Sequence, residues 1–152
     1  MEFHKAGQGA TEYLVLLAVV LIIALVSIAL LGFFPGLATD ARITQSAFYW
    51  KGEARPFAIL EHSVSSSGTA QMVLQNVDAS GLITLESISV GADTYSPGVS
   101  FVPGETKVLD VPTVAAGTAG SVYEFPINLT YTTSSGLSQT QFGSKPIVGK
   151  YN

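Results

Sequence analysis

The chain has 152 residues, seven Lys or Arg against eleven Asp or Glu, a net charge of −4 and no cysteine. The acidic balance provides no basic footprint for nucleic acid, and the missing thiols exclude disulfides and thiolate metal sites. The length suits one modest domain plus one long element.

Residues 1–7 are too short to fold alone and carry no periodic pattern. From Leu14 to Phe34 the side chains are apolar, interrupted only by Ser27 and Gly32. At about 1.5 Å per residue, a helix of that length covers roughly the 30 Å hydrocarbon core of a bilayer. The stretch is apolar on every face at helical spacing, so it must be covered by lipid or by other protein. It exceeds the roughly 7–15 apolar residues of a secretory signal, although Gly36-Leu37-Ala38 offers a small-residue cleavage site. An anchor with Lys5 on the cytoplasmic side accounts for the length better.

Pro35 removes a helix donor and clashes with the preceding turn. Beyond it Leu37, Ala38, Ala41, Thr44, Ala47 and Phe48 share one side at helical spacing. This predicts one helical spine kinked near Pro35 and ending around Trp50, with two separate helices as the alternative. Gly52 is the expected left-handed stop. Phe48-Tyr49-Trp50 is expected to pack the helix base against a sheet, with an aromatic belt or subunit contact as the other use.

Past residue 52 the pattern turns to strands: Arg55–His62, Ala70–Val77, Leu82–Val90, Thr106–Val111 and Ser121–Thr132. Asp78-Ala79-Ser80-Gly81 marks a turn. The apolar residues switch parity between Leu85 and Ile88, which predicts a bulge. Pro126 predicts an edge position or a bulge within Ser121–Thr132. Gln139–Phe142 and Pro146–Tyr151 are expected to close a final hairpin. The fold class is therefore α+β: a long N-terminal hydrophobic helix followed by an antiparallel β-sandwich or barrel-like head.

Few residues suggest catalysis. His4 lies in the lead segment and His62 at a strand end, the latter expected as a loop or rim residue. Asp78, Asp93 and Asp110 are too scattered for a calcium site, and no phosphate loop or ligand-spaced cluster occurs. The expectation is no enzyme and no cofactor. Asn128-Leu129-Thr130 is an N-glycosylation sequon. Strand alternation places Asn128 and Thr130 on the face opposite Ile127, Leu129 and Tyr131.

The string Lys5-Ala6-Gly7-Gln8-Gly9-Ala10-Thr11-Glu12-Tyr13 ahead of the apolar run resembles the class III signal peptide of archaeal type IV pilin-like proteins. The resemblance covers about residues 5–34. It implies that a prepilin-type signal peptidase, recognising Lys5, Ala6 and Gly9, cuts between Gly7 and Gln8. The domains would then be a 1–7 leader, an 8–51 helix spanning the membrane in the precursor and forming the filament core, and a 52–152 extracellular head. Glu12 would be the acid at the fifth mature position, pairing with the new amine of Gln8 and setting assembly register. Archaellins usually lack that acid, and bacterial tight-adherence pilins with a similar Glu-Tyr pair lack a β head. The implied function is a structural subunit of an adhesive pilus, a self-polymer built by an assembly ATPase and a membrane platform protein. Without the motif, the same residues describe a membrane-anchored monomeric extracellular binding module.

Overall fold

The computed structural model describes residues 3–152, with side chains from Gly7 onward apart from those of 33–35. The fold is α+β: one long N-terminal apolar helix, then antiparallel sheets. Helix α1 runs Phe3–Phe48 without interruption, so the chain forms one helix and not two. Within that helix Pro35 has no N–H to donate to the hydrogen-bond ladder. The Pro35 side chain, on which the expected kink turns, lies outside the described residues.

The end of α1 departs from expectation. Gly52 does not take a left-handed conformation. The chain instead widens into a π-turn, Tyr49–Glu53, closed by Ala54 N–H donating to Tyr49 O at 2.9 Å. It leaves through Ala54 in an extended conformation (φ −63°, ψ 131°). A π-turn inserts about one extra residue into the helical turn, and Trp50 within it is buried at 1 % exposure.

Ten strands follow: β1 Phe57–Val64, β2 Ala70–Asn76, β3 Ile83–Val90, β4 Asp93–Tyr95, β5 Val99–Phe101, β6 Thr106–Val111, β7 Val122–Phe125, β8 Ile127–Thr133, β9 Ser138–Phe142 and β10 Ile147–Lys150. They form three antiparallel sheets: β1-β2-β6, β10-β7, and a five-stranded sheet of β4 and β5 on β3, then β8 and β9. Strands β4 and β5 are too short to show a period. The expected bulge is present as a register shift between Leu85 and Ser87.

Two expectations fail at one place. Ser121–Thr132 is not a single strand, and the last two strands are not a hairpin. Proline cannot donate to a ladder, and at Pro126 the chain passes from β7 in one sheet to β8 in another. Residues 143–146 make the return crossing, so β9 pairs with β8 and β10 pairs with β7.

One apolar core joins the sheets, including Phe57, Ile59, Leu74, Leu85, Phe101 and Leu129. Phe57 meets Phe101 and Tyr131 edge-on, at 5.2 and 5.8 Å between ring centroids. The polar groups inside are satisfied. Gln141 accepts from Phe57 N–H at 2.9 Å and donates to Phe57 O at 2.8 Å, so its amide completes the edge of β1. Fully buried Asn76 donates to Gly81 O and Phe101 O and accepts from Asp78 N–H, fixing the turn at residues 78–81. By compactness the chain divides into Met1–Asp40 and Ala41–Asn152, so the last turns of α1 belong with the β strands.

Candidate functional site

Three regions carry chemistry. The first is the N-terminal part of α1. From Tyr13 to Leu31 the large apolar side chains are 43–69 % exposed. Among the described residues this is the one helix long and apolar enough to cross a membrane. Its hydroxyls turn inward on the helix: Ser27 Oγ donates to Ile23 O at 2.8 Å and Thr11 Oγ1 to Gly7 O at 3.0 Å. Each hydroxyl thereby satisfies its proton without a partner from outside, as an apolar environment requires.

Gly7, Gln8, Gly9 and Glu12 all lie within this helix and are exposed. Gln8 and Glu12 are one turn apart, about 6 Å along the axis. A Cβ built on Gly7 or Gly9 meets nothing within 4 Å. The side chains of Lys5 and Ala6, expected to guide a peptidase, lie outside the described residues.

The second region is the base of the helix, where it meets the sheet crossing. Buried Ser46 donates its hydroxyl to Pro146 O at 2.7 Å and accepts from Val148 N–H at 3.2 Å, standing in for a strand partner of β10. Trp50 Nε1 donates to Lys145 O at 3.0 Å, and Tyr49 Oη accepts from Ser144 N–H at 3.1 Å. Arg42 reaches Glu124 on β7 at 3.1 Å. Gly143 lets the indole lie against the crossing: a Cβ there would come within 2.5 Å of Trp50 and 2.7 Å of Ile127 O. The three aromatics thus divide their work. Trp50 fills the core, Tyr49 packs on it, and Phe48 stays 68 % exposed.

Beside this base lies a cleft of about 570 Å³, lined by Trp50, Lys51, Ile59, His62, Tyr123 and Lys150 among others. His62 is a half-buried position inside β1 and not a loop residue. Its Nδ1 lies 2.7 Å from Tyr123 Oη. Burial, then the nearby Lys51 ammonium, holds the imidazole below its ordinary pKa. Burial and the adjacent Tyr151 push the Tyr123 phenol up to about 12. Both groups therefore favour their neutral forms at neutral pH. Sequence reasoning missed this pairing because His62 and Tyr123 are 61 positions apart. Among the described residues no three His, Asp or Glu side chains are grouped to hold a metal ion.

The third region is the outer face of the five-stranded sheet. Asn128 and Thr130 are half-buried there, between the core residues Ile127, Leu129 and Tyr131. The alternation follows expectation.

Comparison with protein-family models, curated proteins and solved structures returned no match.

Proposed function

We propose that the chain is a structural subunit of an archaeal type IV-like pilus. One observation carries this reading: within a single helix, the Gly7-Gln8 pair and Glu12 lead directly into an apolar stretch that has no protein cover. Such a surface is stable in a bilayer or against copies of itself, and a filament uses both in turn. In the precursor the helix sits in the membrane with the β domain outside. A prepilin-type peptidase cuts before Gln8, and the helices then bundle with their small residues Gly9, Ala10, Ala18 and Ala24 at close approaches. Glu12 cannot be left alone among apolar helices, because an uncompensated carboxylate there costs several kcal/mol. The amine created at Gln8 neutralises it and sets the axial register. The head forms the outer wall and carries adhesion.

The test is the N-terminus of the mature protein together with electron microscopy of the cell surface. A start at Gln8 and filaments are expected. Glu12→Ala should be cut normally yet leave no filaments, and normal filaments from that variant would overturn the role of the acid. The cleft beside His62 favours a second reading, a membrane-anchored monomeric binding module. An intact start at Met1 on a surface without filaments would decide for it.

A further inference from the structure

The outer face of the five-stranded sheet has an unusual composition for an exposed surface. Cross-strand register places Thr94, Ser89, Asn128 and Phe142 in one row. The next row ends in Thr130 and Thr140, whose hydroxyls lie 3.2 Å apart. The other outward positions of the face are serine or threonine, apart from Glu86 at the bulge. Soluble surfaces usually intersperse Lys, Arg, Asp and Glu. This face instead presents neutral donors and acceptors in ordered rows.

Phe142 is the exception, 72 % exposed on an edge strand. A single exposed aromatic needs no special account. This one, however, is the direct cross-strand partner of Asn128, which places the two Cβ atoms roughly 5 Å apart. Asn128 begins the chain's one N-x-Ser/Thr sequon, and both of its polar side chains point outward. A pyranose has a C–H face that stacks on an aromatic ring and hydroxyls that bond to hydroxyls. Phe142 and the serine and threonine rows match those two halves.

We propose that Asn128 carries an N-linked glycan whose first sugar lies over Phe142 and whose next residues rest on the hydroxyl rows. This rests on the outward-facing placement of the head in the reading above. The sugar donor is a lipid-phosphate-linked saccharide. Asn128 Nδ2 bonds to the anomeric carbon, the bond from that carbon to the phosphate oxygen breaks, and the lipid phosphate leaves with the electron pair. The amide gives one proton to a base of the transferase. Because β8 is hydrogen-bonded on both sides, by β3 and β9, the transfer precedes closure of this strand into the sheet.

The experiment is intact-mass and peptide mapping of the full chain from the surface of its own cells, with variants expressed there. Sugar mass is expected on the Asn128 peptide. It should be lost in Asn128→Gln and in Thr130→Ala and retained in Phe142→Trp. In the glycosylated Phe142→Trp chain the new indole should emit to the blue of the same indole in Phe142→Trp/Asn128→Gln, with less quenching by acrylamide. A bare Asn128 overturns the inference. A glycan that leaves emission and quenching unchanged overturns the contact with Phe142. The same spectra report the N-terminus: a bare Asn128 on a chain starting at Gln8 defeats this inference alone. A bare Asn128 on a chain starting at Met1 defeats the pilus reading with it.

Discussion

The surroundings of His62 change its protonation. Its folded-state pKa lies below the ordinary 6.5, because burial and Lys51 both disfavour the imidazolium. The unfolded chain therefore takes up the proton first as pH falls. The stability that neutral His62 contributes is complete above about pH 6.5 and is lost as pH drops through that value towards the folded pKa. Thermal melts between neutral and mildly acidic pH should show the loss. His62→Gln retains a partner for Tyr123 and cannot protonate, so its melting temperature should fall less over that interval. Equal slopes for the two proteins would place the acid sensitivity elsewhere. Gln141 makes the same point without charge. Its sequence neighbours suggest an ordinary polar strand residue, and only the fold shows its amide spanning the backbone of Phe57.

Among the elements, the base of α1 has the most specific construction. Three side chains, Ser46, Tyr49 and Trp50, make four hydrogen bonds to residues 144–148, at the crossing and the start of β10. Gly143 is the position where space decides. Gly143→Ala forces a shift of the indole or of the Ile127 carbonyl, and overpacking of this kind costs about 1–3 kcal/mol. The expected result is a lower denaturant midpoint with an unchanged slope, followed through the emission of Trp50, the chain's one tryptophan. Wild-type stability would mean that the crossing yields more easily than its packing implies. Trp50→Ala should cost more, about 3–5 kcal/mol, since it empties a fully buried site.

For the whole molecule, the division at Asp40/Ala41 makes a prediction that a boundary at residue 52 does not. A chain starting at Ala41 retains Ser46, Trp50 and Ala54, and should unfold cooperatively and stay soluble without detergent. A chain starting at Glu53 lacks Trp50 and Ser46, exposes the core they cover, and should melt lower or aggregate. Equal behaviour of the two would show that the helix base is dispensable to the strands. Full-length chain, with its uncovered apolar helix, should require detergent or self-associate.

The helix was legible because its evidence is local: an apolar run of this length, interrupted only by Ser27 and Gly32, is too long for a strand. Alternation exposed the inward and outward faces of β8, and the parity change at Leu85–Ile88 showed the bulge, since a period of two is set by the strand itself. The sheet exchange at Pro126, the pairing of β10 with β7, the π-turn under Trp50 and the meeting of His62 with Tyr123 were not legible. Each depends on which distant backbone lies alongside, and that is decided when one core is filled from three sheets. The sequence by itself determined which surfaces must be hidden. The tertiary structure decided which partners hide them, because burial is satisfied by neighbours in space and not along the chain.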